Sequence, residues 1–337
     1  MKIYLLLLTC YFFSFTLYSQ KIELLTTYGK TSFRGLSVVT DRLLWVSGNN
    51  GTVGRSADAG QSWTWFTIPG YEKRDFRDIE AFSFSTAIII AVSEPAVILK
   101  TVDAGKTWKL VYENKKPGMF LDAMEFWNEE SGIVLGDPIS GRFFISRTYD
   151  GGNTWKDISE KNLPGSDSGE ACFAASGTNI RKVDKDEACF VSGGKKSRLF
   201  LKGKPIDLPI IQGKESTGAN SVAVRDSNKR SGSKHLVIVG GDFAADSSSE
   251  KNCILTHDGG KTWIVPSNPP HGYRSCVEYI DKEKLIACGT TGIDVSLDGG
   301  INWNLIGKES YHVVRKAKKG KSVFLAGGSG KIGKLIL

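Results

Sequence analysis

An eight-residue pattern, Ser/Thr-x-Asp-x-Gly-x-x-Trp, recurs five times along this chain of 337 residues, and its spacing constrains the fold more than any other feature. The copies run from Ser56 through Asp58 and Gly60 to Trp63, then Asp103 to Trp108, Asp150 to Trp155, Asp258 to Trp263 and Asp298 to Trp303. The chemistry is that of a turn. An aspartate carboxylate accepts bonds from nearby backbone N–H groups, and the glycine adopts a positive φ. The Ser/Thr closes one strand, and the Trp opens the next and buries its ring between sheets. An active site needs one copy, so Asp58, Asp103, Asp150, Asp258 and Asp298 read as structural, with their tryptophans.

Successive aspartates are separated by 45, 47, 108 and 40 residues. Four-stranded propeller blades run about 40–50 residues, so the long step hides a blade that has lost the pattern. The strands of that blade are legible at Cys189–Val191 and Arg198–Leu201. A seventh unit, Val323–Gly328 followed by Lys331–Leu337, stops before an outermost strand, which Lys21–Leu25 can supply from the other end of the chain. Such closure leaves only short, protected edges. The expectation is an all-β chain forming a seven-bladed β-propeller, with six blades as the alternative count, and a single domain over residues 20–337. The 38 glycines and 8 tryptophans fit many short strands joined by tight turns.

Residues 1–19 read as a secretory signal peptide. Lys2 gives the positive start, Ile3–Leu17 carries no charge, and Ser19 precedes the expected cut. The expected location is therefore periplasmic or secreted, for a soluble and monomeric protein. The net charge of +8 is modest, and its cluster at Arg315, Lys316, Lys318, Lys319 and Lys321 lacks interleaved aromatics. It reads as a solvated hairpin, and nucleic acid is not an expected partner. Five cysteines follow the signal segment; Cys276 and Cys288, symmetric about a turn at Asp281–Glu283, can face each other across a hairpin, and Cys172 and Cys189 stand in a similar relation. The segment Arg225–Asn252, rich in Ser, Lys and Asp, reads as a hairpin extension of blade five.

Each unit also offers an innermost strand facing the central channel, at 32–36, 75–79, 119–123, 171–175, 219–223, 272–276 and 311–315. In this register Arg34, Arg77 and Arg274 are equivalent in blades one, two and six, and Asp78, Asp122 and Ser275 occupy the next position. The arginines then form a positive mouth suited to an acidic peptide or a C-terminal carboxylate, which guanidinium forks bind bidentately.

The repeated turn is the Asp-box (BNR repeat), shared by sialidases, sortilin-type receptors and many bacterial propellers. The stretches 32–39, 75–82, 120–127, 136–143, 239–242 and 272–275 narrow this further. In them the chain resembles the photosystem II stability/assembly factor family and its non-photosynthetic bacterial relatives, which often carry the label oxidoreductase. The resemblance implies a propeller that chaperones or docks a protein or peptide partner, with no cofactor. Asp137, Arg142, Asp242 and Tyr273 lie in these stretches and join Arg34, Arg77, Asp78, Asp122 and Arg274 as candidate binding residues.

Two enzyme readings compete with the scaffold. In a sialidase-like glycoside hydrolase, Arg34, Arg77 and Arg274 would form an arginine triad, Asp78, Asp122, Asp137 or Glu170 the acid, and Tyr273 the nucleophile. Against it, 33–36 departs from the sialidase Phe/Tyr-Arg-Ile-Pro pattern. In an oxidoreductase, Gly328-x-Gly330-x-x-Gly333 would be a dinucleotide fingerprint, but the chain ends four residues later, with no helix and no acid about 20 positions on. His235, His257, His271 and His312 show no metal spacing. The sequence favours a scaffold over an enzyme, with no catalytic residue and no metal ligand assigned.

Overall fold

A computed structural model describes residues 20–225 and 234–336. The expected signal peptide at 1–19 lies outside the described residues. The described chain forms seven separate sheets and contains no α-helix. Blade one runs outward from Phe33–Val38 through Leu44–Gly48 and Thr52–Ser56 to Thr64–Thr67. Blades two, three and six repeat this order from Phe76–Ala81, Leu121–Phe126 and Cys276–Tyr279. The seventh blade closes as the sequence requires: Lys21–Thr27 pairs antiparallel with Lys331–Ile336, from Lys21 opposite Ile336 to Thr27 opposite Lys331.

Burial explains the strand sequences. A second strand such as Ala87–Ala91 is covered on both faces by neighbouring blades, so it is continuously apolar rather than alternating. Outermost strands such as Lys109–Asn114 face solvent and carry charge. The box tryptophans seal the gaps between blades: Trp63 packs on the core joining blades six, seven and one, Trp108 on that of blades one and two, and Trp303 on that of blades five and six.

The box geometry is uniform. In blade one, the Ser56 hydroxyl donates to Asp58 Oδ1 at 2.8 Å and accepts from the Gly60 N–H at 2.9 Å, and Asp58 Oδ1 accepts from the Ser62 N–H at 2.9 Å. These bonds favour the ionised form, and Asp58, Asp103 and Asp150 are each held down at about 2. Blade four has no box because it uses a shorter turn. Leu201 pairs with Lys204 across Lys202 and Gly203, whose φ values of 52° and 70° make a two-residue hairpin.

Two sequence expectations fail at the blade-four and blade-five boundary. The innermost strand of blade four is Ile180–Lys182, not 171–175. And Arg225–Asn252 is not an extension, because it contains Leu236–Asp242, the second strand of blade five; positions 226–233 lie outside the described residues. Low apolar periodicity at 171–175 and high polarity at 225–235 hide these boundaries from a pattern reading.

Residues 174–179, all buried, instead cross the channel as a plug. Ala175 O accepts from Arg34 of blade one, and the Ser176 hydroxyl donates to Ser275 O of blade six at 2.8 Å. The Thr178 hydroxyl donates to Ser221 of blade five at 2.6 Å, and Gly177 O accepts from Arg315 of blade seven at 3.1 Å. Gly177 has φ +63°, and a Cβ there would lie 2.3 Å from Asp78 Cγ of blade two. One short segment thus ties five blades together and divides the channel into two mouths.

Candidate functional site

The upper mouth is built by a repeated irregularity. In blades one, two, three and five the pairing of innermost with second strand slips by one residue, at Arg34, Arg77, Asp122 and Asn220. A bulge leaves its residue unpaired and re-aims the side chain. These four are therefore the structurally equivalent positions, which corrects the sequence register twice.

Arg274 does not join the mouth. The N–H of Phe33, the residue before Arg34, bonds to Gly327 O of the preceding blade; in blade six the corresponding bond to Gly240 O is made by Arg274 itself. A slip of one residue turns a side chain to the opposite face. Arg274 is accordingly fully buried, with Nε bonded to Asp294 Oδ2 at 2.7 Å and Nη1 to Thr291 Oγ1 at 2.9 Å. Asp78 is likewise one position beyond the bulge, so it is not equivalent to Asp122. It faces the plug from below and accepts the N–H groups of Ile79 and Met124, each at 2.8 Å. Burial outweighs these bonds and the nearby Arg315, raising Asp78 to about 7.

What remains together is Arg34, Arg77, Asp122, Asp137 and Tyr273. Arg34 is partly buried, and one hydrogen bond, from Nη1 to Ala175 O at 3.2 Å, is formed by its guanidinium. Burial and then the adjacent Arg77 lower its pKa, with Tyr273 and Asp75 opposing. Arg77 donates from Nε to Asp75 at 2.7 Å and lies 5.9 Å from the Phe120 ring. The Tyr273 hydroxyl donates to Asn220 Oδ1 at 2.7 Å, so this candidate nucleophile is occupied and buried. Half-exposed Phe243 stands edge-on to Tyr273 and Phe173, giving the rim an apolar wall.

The other candidates are engaged elsewhere. Arg142 donates to Leu163 O at 2.8 Å, Asp242 accepts the turn N–H of Ala244 at 2.9 Å, and Glu170 is paired with Arg198. The arginine triad of a sialidase is therefore not formed. Cys276 and Cys288 are opposite one another as their symmetry implies, both as buried free thiols. Cys172 and Cys189 are not opposed: Cys189 stands between Arg181 and Leu201 in blade four, while Cys172 leads into the plug.

Sequence reasoning missed His312, whose pKa falls to about 3 through burial and then the charges of Arg34, Arg77 and Lys331, leaving a neutral imidazole. It also missed the lower mouth. A cavity of about 510 Å³ opens below the plug, lined by Asp78, Glu80, Glu125, Arg181, Glu278 and Arg315 among others. Lys318 reaches into it from the segment expected to be a solvated hairpin, donating to Ser37 Oγ at 3.1 Å and Ala81 O at 2.9 Å beside Glu80. Arg181 bridges Glu125 at 3.4 Å and Glu278 at 3.2 Å. A lysine run is indistinguishable by composition from a solvated face, so no local signal marks this ring.

Seven blades, five Asp-boxes and a strand borrowed from the other end of the chain define the class: an Asp-box β-propeller. Its more particular likeness is to the photosynthesis system II assembly factor YCF48, whose family model matches residues 21–121, the closing strand and the first two blades through the start of the third. Two solved structures are similar over nearly their whole length. One, "YCF48 bound to D1 peptide", is 16% identical with a TM-score of 0.62, covering 95% of this chain and 97% of the other. The second, YCF48 from Cyanidioschyzon merolae, is 15% identical with a TM-score of 0.64, covering 93% and 98%. At such identity the likeness establishes the fold. No curated protein matches the sequence.

Proposed function

We propose that this chain is an exported docking protein that captures a partner polypeptide by a carboxylate, at the mouth formed by Arg34 and Arg77. The observation that carries the reading is the state of Arg34. A guanidinium has five donors, and this one is partly buried beside a second guanidinium with a single hydrogen bond made. Asp75 answers Arg77, but Arg34 still faces a like charge with most of its donors unfilled, which a further anion would relieve. A peptide carboxylate fits the fork geometry, and the Phe243, Tyr273 and Phe173 wall offers an apolar surface for the adjoining side chain. The YCF48 structure bound to a D1 peptide supports a peptide as the class of ligand. Export rests on the charge and apolar run of residues 1–19.

The test is a crosslinking pull-down of the mature protein from its native envelope fraction, with an Arg34→Ala/Arg77→Ala variant alongside. One dominant protein, lost in the variant, is the expected outcome. Equal capture by both proteins would sink the reading.

A further inference from the structure

Beside the upper mouth, Asp122, Asp137 and Cys172 converge from blade three and the lead-in to the plug, their ligand atoms all within 4.8 Å of one another. Asp122 is fully buried, and neither of its carboxylate oxygens has a hydrogen-bond partner. A carboxylate in that state is costly, because burial removes water and nothing replaces it. A proton on Asp122 removes its charge but still leaves both oxygens without a hydrogen-bond partner. Arg77 is near enough for its charge to act on Asp122, but burial outweighs it and the side-chain hydrogen bond of Arg77 goes to Asp75. Asp137 uses Oδ1 to accept the Cys172 N–H at 2.8 Å, which leaves Oδ2 for a ligand and fixes the Cys172 backbone beside it. Partial exposure of Asp137 gives an entry path.

We infer that Asp122, Asp137 and Cys172 form a binding site for a thiophilic divalent cation of the Zn²⁺ class. Two carboxylates and one thiolate are three protein ligands of the type Zn²⁺ accepts, with solvent in the fourth position. The thiolate favours Zn²⁺ or Co²⁺ over Mg²⁺ and Ca²⁺, which take oxygen ligands. Bond lengths of about 2.0–2.3 Å require the three ligand atoms to close up slightly, which side-chain rotation allows. On binding, the Cys172 thiol releases its proton to solvent and the cation compensates the buried anions. The site also explains why a bulge that presents arginine in blades one and two presents aspartate in blade three.

The test is titration of metal-free mature protein with Co²⁺, followed by its absorption. One equivalent producing a thiolate-to-Co²⁺ charge-transfer band, bleached by Zn²⁺, is expected. Cys172→Ser should abolish the band, and Asp122→Asn should weaken Co²⁺ binding by at least about tenfold, since loss even of outer-sphere partners costs that much. A Cys276→Ser/Cys288→Ser variant should keep the band. The inference is overturned if the wild-type protein shows no thiolate band, if the band survives Cys172→Ser, or if Asp122→Asn binds Co²⁺ as tightly as wild type. Should Cys172→Ser fail to fold, Asp122→Asn, which preserves shape, decides the question.

Discussion

The two ends of the channel treat charge in opposite ways. At the lower end most cation donors are answered: Arg181 lies between Glu125 and Glu278, Lys318 meets Glu80, and Arg315 donates from Nη2 to the plug carbonyls of Ser176 and Gly177, with Nη1 4.0 Å from Glu278. At the upper end Arg34 makes one bond and Asp122 makes none. A closed network of pairs between blades two, three, four, six and seven is what a ring of separate sheets needs to hold its register. Unmet capacity of either sign is what a binding site needs. The lower mouth, although it holds a cavity, therefore reads as structural, and the proposed docking site falls to the upper mouth.

The largest effect expected is at the lower end. Arg181→Ala strands two partly buried glutamates, and since removing one partner of a fully buried pair costs about 3–5 kcal/mol, about 2–3 kcal/mol is expected here. For Arg181 itself burial opposes the charge, but Glu278 and Glu125 outweigh it and raise its pKa. Denaturant unfolding measures the loss. A change under about 1 kcal/mol would mean that Glu125 and Glu278 do not need Arg181, and the contrast between the two ends would fail.

Gly177→Ala comes next. It places a methyl group against the Asp78 carboxylate at a left-handed φ, and strain of this kind costs about 1–3 kcal/mol. Thermal unfolding should show the loss, with partner capture reduced as well, because Ala175, two residues earlier, positions Arg34. An unchanged Tm would show that the plug is not wedged between the blades.

How far these features could be read from sequence follows from their periodicity. The box turns announce themselves because each needs the same residue types at the same spacing, and five repetitions fix the blade period. The closing strand was legible as a remainder: Lys331–Ile336 lacks a partner that Lys21–Thr27 supplies. The bulges were not legible. A one-residue slip leaves no mark in composition, so Phe33-Arg34-Gly35 and Tyr273-Arg274-Ser275 look alike while their arginines point to opposite faces. The plug was hidden for a similar reason, since residues 171–175 are small and apolar enough to pass as a strand. Ion pairs between residues 56 and 97 positions apart, as for Arg181, have no local signature.

A smaller effect separates the boxes from the channel by pH. The box aspartates have folded pKa values depressed from 3.8 to about 2, so their stabilisation is present above 3.8 and lost as pH falls through 2. Asp78 and Asp137 are raised by burial to about 7 and about 6, so their contribution is present below 3.8 and lost as pH rises through those values. In metal-free protein Tm should therefore peak near about pH 4 and fall on both sides. Asp103→Asn should flatten the acid limb and Asp78→Asn the neutral one. A Tm that is flat from pH 4 to 7 would mean the channel acids are not desolvated as the packing implies.

The smallest change in stability is expected where the change in function is largest. Arg34→Ala removes one hydrogen bond, to Ala175 O, and also relieves the desolvation and the repulsion from Arg77. These oppose each other, so unfolding free energy should move by about 1 kcal/mol or less. Capture of a peptide with a free C-terminal carboxylate should be lost, while Arg34→Lys, which keeps the charge without the fork, should retain part of it. If Arg34→Ala instead destabilises as strongly as Arg181→Ala, both mouths are structural. The guanidinium at blade one would then be a brace for the plug, and the search for a docking site would move to the rim formed by Phe243 and Tyr273.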